Sequence, residues 1–376
     1  MTHPVAHPTS LPAEFADWLT GMRSWAAKCR QDDDLWRTAA SQGLLSLAVP
    51  ESAGGTGAGY EAACLALETF AGESGLSGPP FAMAAQMWAC QEPLLEFGTA
   101  VQHDRYLTPL LAGTAVGAFA ATEYESGSDL MSLRTRAERD GAGRWRLNGA
   151  KTFITNGPTA DVFLVLARTT EGSALSGLTA FVVPLGTPGL HIGTAIKKAG
   201  LAGADLGSLH IDDCVLDESD VLGGPGGGFA VLMHAMRHER AFILAPALGL
   251  MDRALRRSVE HARSRSQFGQ PLASYDTIRR RLVRMHMALT SARELLHTTA
   301  RRADTGTLDH GRSSLTKLHV STEFNRFCEE LPDVYGGYAL LPETGATDLL
   351  ADAVASRYYS GTSDMQMKII AEGLGL

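Results

Sequence analysis

The sequence has few of the features that mark secreted, metal-binding or membrane-spanning proteins. Only five of its 376 residues are cysteine, and none stand at CxxC spacing, which disfavours a disulfide framework and a cysteine metal site. The pattern therefore predicts reduced thiols in the cytoplasm and no bound metal. The longest uncharged apolar run near the middle of the chain, 241–251, is shorter than the ~20 residues that a bilayer requires. The N-terminal residues lack the basic-then-apolar order of a signal peptide.

An excess of positive charge is also missing. The formal net charge is −8 and the isoelectric point is about 5.8, which argues against nucleic acid or an anionic membrane as a partner. The glycine-rich run 223–228, GGPGGG, lacks the Lys-Ser/Thr pair of a phosphate-binding loop and does not match GxGxxG. We therefore interpret this run as a connector between domains.

The order of helical and strand-like patterns predicts three domains in an α+β fold. Residues 1–118 alternate helical stretches with Gly/Pro breaks, residues 119–226 contain short strand-like runs, and residues 227–376 are helical again. The dipeptide Asn148-Gly149 between two strand-like runs predicts a hairpin turn. Because strands and helices do not alternate, we expect a barrel-like or sandwich-like β-domain and no nucleotide-binding parallel sheet.

The helical stretch from Met233 to Met251 places a carboxylate on its apolar side. Glu239 shares a helical stripe with several apolar residues. A carboxylate that faces a core must be paired, hydrogen-bonded or protonated. Glu239 therefore pairs with a basic residue or turns to solvent, or it acts as a general base whose pKa an apolar pocket raises. The stripe comprises Leu232, Met236, Ile243 and Pro246, with Phe242 beside it.

Several segments of the chain resemble signatures of the acyl-CoA dehydrogenase family. The resemblance extends over nearly the whole chain and keeps the order of the family's motifs. The segments are 121–129 (ATEYESGSD), 148–157 (NGAKTFITNG), 265–269 (RSQFG), 335–337 (YGG) and 359–363 (YSGTS).

The resemblance implies an N-terminal helical domain, a middle β-domain and a C-terminal four-helix bundle, with FAD between the last two. Thr122 and Thr155 would offer hydroxyls to the isoalloxazine edge, and Phe153 would lie against the ring. Arg265 would meet the diphosphate, and in relatives this residue reaches the flavin of a neighbouring subunit, so a homo-oligomer (dimer or tetramer) is implied. The cofactor-binding residues implied in this way are Phe119, Ala121, Thr122, Ser128, Phe153, Thr155, Arg265, Gln267, Phe268, Asp333, Gly336, Gly337, Thr362 and Asp364.

The family's reaction also requires a base. An α-proton leaves an acyl thioester while hydride leaves the β-carbon for flavin N5, so a carboxylate of raised pKa is needed. In many members this carboxylate directly precedes the Gly-Thr of the last block, where this chain has Ser360. A smaller branch, including isovaleryl-CoA dehydrogenase, carries it on the helix that opens the C-terminal domain. Glu239-Arg240 matches that position, so the resemblance implies Glu239 as the catalytic base.

The resemblance also implies where the substrate lies. The backbone N–H of Ser360 would polarise the thioester carbonyl, because that donor does not depend on the side chain. Arg237 stands where relatives often carry Asp or Asn, and Asp333 and Asp364 replace polar residues common in the cofactor blocks. The substrate-binding residues implied are Ser128, Arg237, Arg240 and Ser360.

Several functions on this fold remain open at the level of sequence. The leading one is an acyl-CoA dehydrogenase that passes electrons to an external acceptor such as an electron-transfer flavoprotein. A second is a dehydrogenase specific for an acyl-carrier protein of a polyketide or peptide biosynthetic pathway, since the arginine-rich segment 279–284 could receive an acidic carrier. A flavin oxidase or monooxygenase is a third. A non-enzymatic binder of acyl carriers, suggested by Ser360, is a fourth.

Overall fold

The first part of the chain is helical, and the computed structural model describes residues 13–169 and 177–376. Two helical segments contain a π-turn that ends two residues before a proline, Pro93 in one case and Pro109 in the other. Proline has no N–H donor, and the wider turn accommodates it so that the helical segment continues past it. The helices are α1 (Ala13–Ala26), α2 (Leu35–Ser41), α3 (Tyr60–Ser74), α4 (Gly78–Gln86), α5 (Glu92–Phe97), α6 (Ala100–Gln102) and α7 (Thr108–Leu111).

The middle of the chain forms a strongly bent sheet. Its strands are β1 (Gly117–Ala120), β2 (Arg136–Arg139), β3 (Trp145–Thr155), β4 (Val162–Arg168), β5 (Leu178–Pro184), β6 (Leu190–Ile192), β7 (Leu206–Leu216) and β8 (Val221–Leu222). The order is β6-β7-β3-β2-β4-β5-β8, with β1 beside β4, and only the pair Arg136–Arg168 joins β2 to β4. Side chains from both sides of this junction, including Leu147 of β3 and Phe163 of β4, enclose one buried core. The sheet is therefore barrel-like, as expected.

The prediction of a hairpin turn at Asn148-Gly149 is wrong. Both residues lie inside β3, and the pairing of β3 with β7 shifts register at Gly149. The dipeptide therefore marks a β-bulge. A Cβ on Gly149 would lie 2.7 Å from the Thr135 Cα, so this close approach explains the glycine. The turn between β2 and β3 lies at 140–144, where the Asp140 carboxylate accepts a hydrogen bond from the Ala142 N–H at 2.9 Å.

The last part of the chain is helical, which confirms the expected α+β architecture. The stretch expected to be one helix is two, because α8 ends at Phe242 and α9 begins at Ala245. Pro246 takes the second position of α9, where its missing N–H removes no helical bond, so it does not continue the stripe of α8. The elements are α8 (Gly228–Phe242), α9 (Ala245–Ser264), β9 (Ser266–Gln267), β10 (Gln270–Pro271), α10 (Asp276–Asp304), α11 (His310–Tyr335), α12 (Ala346–Ala355) and α13 (Ser363–Gly373).

The helical parts at the two ends of the chain share one core. Helices α3 and α9 approach closely at Gly72 and Gly249, where a Cβ on Gly72 would lie 3.1 Å from the Gly249 oxygen. Helix α8 packs against β5, α5 and α11, so it lies where all three parts of the chain meet. Within the described ranges, no helix is both long and apolar enough to cross a bilayer.

Candidate active site

Glu239 lies in the last turn of α8, at this junction. Its side chain is half-buried. Burial raises the pKa of Glu239 from an ordinary 4.5 to about 7, while the Ser360 hydroxyl and the cations Arg240 and Lys317 offset part of the rise. A carboxyl group whose pKa is near neutrality can both accept and release a proton under physiological conditions.

Lys317 on α11 holds the loop that contains Ser360 and Gly361, the Ser360 loop, beside this carboxyl group. Its side chain is fully buried, and its Nζ donates a hydrogen bond of 2.8 Å to the Gly361 oxygen. The Gln366 Nε2 donates to the same oxygen at 3.0 Å and to the Ser360 oxygen at 3.1 Å. Burial and the charge of Arg240 lower the pKa of Lys317 to about 7, against the opposing effect of the neighbouring carboxylate. Two buried donors therefore fix the backbone of this loop.

The loop itself has an uncommon conformation. Ser360 has a φ of 55° and Gly361 a φ of 86°, a left-handed pair that a non-glycine residue adopts rarely. The Ser360 Oγ is buried without a hydrogen bond of normal geometry, although it lies close enough to Glu239 to lower its pKa. The Ser360 N–H bonds to none of the residues that the structure describes. A backbone donor thus remains available next to the carboxyl group.

The two arginines expected to bind substrate lie in different surroundings. Arg240 is close to the loop, because a Cβ on Gly361 would lie 3.7 Å from its Nε. Arg237 precedes Glu239 by two residues and so points about 200° around the helix from it. Its Nη2 lies 3.3 Å from the His234 Nδ1, and it borders a cavity of about 200 Å³ on the other side of α8. The structure therefore places Arg240, and not Arg237, beside the candidate base.

The residues expected to face the flavin ring come together along β1, the following loop and β3. The Thr152 N–H donates to the Thr122 oxygen at 2.9 Å, which brings that loop alongside Phe153 and Thr155. Phe153 has a φ of 54° and is 58% exposed. An aromatic side chain held in a strained conformation at the surface is typical of a ligand-facing position. Ala121 is buried in a neighbouring core, and Phe119 is half-buried against it.

A buried ion pair supports this surface from behind. The Lys151 Nζ lies 2.8 Å from the Glu123 Oε1, and the same oxygen accepts a hydrogen bond of 2.6 Å from the Thr135 hydroxyl. Burial lowers the pKa of Lys151 to about 8, although Glu123 opposes this. Glu123 of the ATEYESGSD motif therefore has a partner inside the protein, and this ion pair joins the loop after β1 to β3.

The remaining residues expected at the cofactor divide between two places. Ser128 is exposed in the loop after β1. Thr362 caps α13 by accepting a hydrogen bond from the Met365 N–H at 3.2 Å, and Asp364 is exposed in the first turn of that helix. The others lie at the far end of the bundle, and they are Arg265, Gln267, Phe268, Asp333, Gly336 and Gly337.

The far end presents an exposed aromatic side chain and two open glycines. Phe268 is 96% exposed and has a φ of 51° at the tip of the β9–β10 hairpin. The Arg265 guanidinium lies 5.1 Å from the centre of the Tyr338 ring. A Cβ built on Gly336 or Gly337 would meet no described atom within 4 Å. This surface has room for a flat or extended ligand.

Within one chain, the end of the bundle that carries Arg265 lies far from Glu239. Helix α9 has 20 residues and therefore spans about 30 Å, with Glu239 before its start and Arg265 after its end. Gly336 follows Lys317 along α11 by about 28 Å for the same reason. Asp333 already forms an ion pair of 2.7 Å with Arg281. The two groups of expected cofactor residues therefore do not meet within one chain.

Four polar residues in this region were not identified from the sequence. Lys317 stands at helical spacing with the apolar residues Val320 and Phe324, and a lone lysine in such a stripe could have been noticed. His234 and His238 stand one helical turn apart in the stretch that contains Glu239. Their third neighbour, Glu92, comes from a helix far away in sequence, so no local pattern indicates it.

Family models match nearly all of this chain. The N-terminal domain of acyl-CoA dehydrogenase matches residues 15–114, the middle domain matches 118–214 and the C-terminal domain matches 226–375. The chain belongs to the acyl-CoA dehydrogenase family. The expected three-part fold and the motifs quoted from the sequence agree with this membership.

Relatives within the family include enzymes of carrier-bound substrates. An L-prolyl-[peptidyl-carrier protein] dehydrogenase of Pseudomonas fluorescens is 35% identical over 91% of this chain and 90% of its own length. The crystal structure of the prolyl acyl carrier protein oxidase AnaB superimposes with a TM-score of 0.94, at 33% identity, over 98% of this chain and 100% of that one. The FAD complex of PigA has a TM-score of 0.91, at 30% identity, over 98% and 99%.

FAD is the cofactor of this family member. The described residues fit it, since the exposed Phe153 offers a ring face and the open Gly336 and Gly337 allow backbone approach. The exposed Arg265 offers a planar cation for a diphosphate. The protein is an oxidoreductase that acts on the CH–CH bond of an acyl thioester.

Proposed function

We propose that Glu239 is the base that removes the α-proton of the acyl thioester. The observation that supports this is its pKa, which burial raises to about 7, together with its position beside the loop where Ser360 replaces a carboxylate. A base with a pKa near the working pH is ionised in a useful fraction of molecules, and its neutral conjugate acid suits apolar surroundings. FAD, when bound, accepts the hydride that leaves the β-carbon.

We further propose that the Ser360 N–H donates to the thioester oxygen. The donor is not used by any described residue, and a charge that develops on that oxygen would be stabilised most by a donor already in place. Lys317 and Gln366 act as positioning residues, because their hydrogen bonds hold the Gly361 and Ser360 carbonyls. This arrangement needs no carboxylate at position 360.

Bulky rings near the base favour a short acyl group. Phe242 follows Glu239 by one turn, and its ring centre lies 5.2 Å from that of Trp88. Phe81 and Tyr359 pack against each other with ring centres 4.8 Å apart. These rings occupy space along α8 that a long acyl chain would need. We therefore propose a small acyl or aminoacyl group, of which a prolyl ring is an example.

We propose that a carrier protein presents this group. The relatives named above include enzymes of prolyl groups on carrier proteins. In a chain of net charge −8, the edge formed by the end of α10 and the start of α11 carries Arg302 and Arg312 beside His310, together with the carboxylate of Asp309. Such an edge suits an acidic carrier domain and the phosphate of its pantetheine arm.

The arginine-rich segment 279–284 suits this role less well than the sequence indicated. Arg281 and Arg284 already bind Glu330, at 2.6 and 3.2 Å. Along α10, Arg284 also lies about 22 Å from Thr299, which contacts Thr316 beside Lys317. We therefore propose the α10–α11 loop, and not this segment, as the carrier-facing edge.

A panel of matched substrates tests the substrate proposal. Anaerobic loss of flavin absorbance is measured with prolyl-carrier protein, prolyl-CoA, butyryl-carrier protein and butyryl-CoA. We expect the fastest bleaching with prolyl-carrier protein. In the Arg312→Ala variant, bleaching by prolyl-carrier protein should be slower, whereas bleaching by prolyl-CoA should be unchanged. Equal or faster reaction with the CoA esters would contradict carrier specificity. Loss of bleaching in Glu239→Gln with FAD retained would support the base, whatever the carrier.

We propose an external electron-transfer flavoprotein as the oxidant. The Pseudomonas fluorescens relative is named a dehydrogenase, whereas AnaB is named an oxidase, so oxygen is the second candidate. Turnover under air with hydrogen peroxide measured in the medium distinguishes the two. Peroxide equal to product would identify an oxidase, and product formation only with an added acceptor would identify a dehydrogenase.

We propose a homo-oligomer in which the far end of one chain completes the cofactor site of another. The exposed Phe268 and Arg265 and the length of α9 support this, since a partner chain could bring them to the β-domain side. Light scattering gives the mass, and Phe268→Ala is expected to weaken association and FAD retention together. A monomer that retains FAD fully would contradict the proposal.

A further inference from the structure

Three potential metal ligands converge on the side of α8 away from the Ser360 loop. They are Glu92 of α5 and His234 and His238 of α8, and one ligand atom of each lies within 4.8 Å of the others. The Glu92 Oε2 lies 3.7 Å from the His234 Nε2 and 3.8 Å from the His238 Nε2. Their side chains are only 4%, 11% and 6% exposed, respectively. Two histidines four residues apart on a helix present their rings to one site.

The hydrogen bonds set which ring nitrogen of each histidine carries the proton. The His238 Nδ1 lies 3.0 Å from the His234 carbonyl oxygen, and since a carbonyl only accepts, this nitrogen is the donor. The Nε2 of a neutral His238 ring therefore presents a lone pair to the Glu92 carboxylate. The Nε2 of His234 is buried without a hydrogen-bond partner.

We propose that Glu92, His234 and His238 bind a divalent transition-metal ion of the zinc type. Two histidines and a glutamate are a known zinc ligand set. Ligand bonds of about 2.0–2.2 Å in a tetrahedron separate the ligand atoms by about 3.4 Å. The two Glu92–histidine distances of 3.7 and 3.8 Å are close to this value, and the largest of the three separations, at most 4.8 Å, must close by up to about 1.4 Å. This inference does not depend on the role of Glu239.

The surroundings supply the supporting contacts that a metal site needs. The Tyr60 hydroxyl lies 3.0 Å from the Glu92 Oε2, and the His234 carbonyl fixes the His238 ring. The contact to His238 is to the side of the ring away from the site, as in other metal sites, whereas Tyr60 bonds the same Glu92 oxygen that faces the two histidines. The adjoining cavity of about 200 Å³ is lined by all three ligands and by the exposed Glu96, so it provides an entry path and room for water as a fourth ligand.

One neighbour opposes the ion. The Arg237 Nη2 lies 3.3 Å from the His234 Nδ1, and its donation there keeps the ring proton on Nε2, the nitrogen that must bind the metal. On binding, the proton moves to Nδ1 and Arg237 turns into the cavity. Arg237 therefore lowers the affinity, and the bound ion would tie α5 to α8 one residue before Glu239.

Zinc uptake by the FAD-loaded protein tests the site. The protein is treated with a chelator, dialysed against increasing free ZnCl₂ and analysed for zinc per chain. We expect one zinc per chain, at least tenfold weaker binding in Glu92→Gln and His238→Ala, and unchanged binding in His286→Ala, an exposed histidine of α10. Flavin absorbance and circular dichroism verify that each variant is folded. No uptake by the native chain, or equal uptake by the Glu92 and His238 variants, overturns the proposal.

Arg237→Gln provides a second test that does not require removal of a ligand. We expect several-fold tighter zinc binding, because the competing cation and its hydrogen bond to His234 are lost. Binding that is unchanged in this variant would overturn the arrangement in which His234 is a ligand. A zinc-dependent rise in melting temperature, present in Arg237→Gln and absent in His234→Gln, measures the same difference without an activity assay.

Discussion

Replacing Glu239 with Gln should make the protein more stable at alkaline pH and leave it catalytically inactive. Burial raises the pKa of this carboxyl from 4.5 to about 7, so the folded state disfavours the ionised form. Each pKa unit corresponds to about 1.4 kcal/mol, and the shift therefore costs roughly 3 kcal/mol of folding free energy above pH 7. Gln is neutral and of similar size, so it removes this cost.

The sign of the effect changes with pH in a defined way. Below about pH 4.5 the carboxyl is protonated in both folded and unfolded chains, and wild type and variant should be equally stable. Between pH 4.5 and 7 the unfolded chain ionises first, so wild-type stability falls relative to the variant. Above pH 7 the difference should be constant, at about 2–3 kcal/mol if solvent screening removes part of the cost.

Urea unfolding of the FAD-loaded proteins, followed by tryptophan fluorescence at pH 5 and pH 8, measures this difference. Glu329→Gln, an exposed position on α11, is the matched control and should show no pH-dependent gain. The same Glu239 variant should retain its flavin and lose substrate-driven bleaching. A stability difference that is equal at both pH values, or a variant less stable at pH 8, would refute the placement of this carboxylate in an apolar environment.

Three further perturbations test other parts of the structure. Lys317→Met removes a cation that lowers the pKa of Glu239, so the rise of kcat/KM with pH should move to higher pH. Lys151→Met leaves Glu123 buried without its partner, and urea unfolding should show a loss of about 3–5 kcal/mol. In Gly249→Ala the new methyl group would overlap the backbone of α3, so little folded protein is expected in the soluble fraction.

The controls for these three are chosen from the same chain. Lys317→Arg keeps the charge and should leave the pH profile nearer to wild type. The double variant Lys151→Met with Glu123→Gln removes both charges and should recover part of the lost stability. Gly127→Ala should be neutral, because no described atom lies within 4 Å of the new carbon. The first prediction is contradicted if the pH profile of Lys317→Met moves to lower pH. The second is contradicted if Lys151→Met is as stable as wild type, and the third if Gly249→Ala gives a normal yield of folded protein.

The sequence alone determined the family and the order of helical and β parts, because the motifs and hydrophobic periods that indicate them are local. It also indicated Glu239, since an acidic residue on an apolar helical face is visible without a fold. The structure was needed to show that its pKa is about 7, because that value depends on how deeply Glu239 is buried and on groups distant in sequence, Lys317 and Ser360, that offset part of the rise. Local patterns carry no such information about distant neighbours.

Other features were decided only by tertiary contacts. Asn148-Gly149 became a bulge because β7 pairs along the whole of β3, whereas the dipeptide by itself favours a turn. Arg237 faces away from Glu239 because α8 is a regular helix at that point. Glu92 joins His234 and His238 only because α5 packs on α8. Residues far apart in sequence meet through packing of whole helices and strands, and that packing is a property of the folded chain.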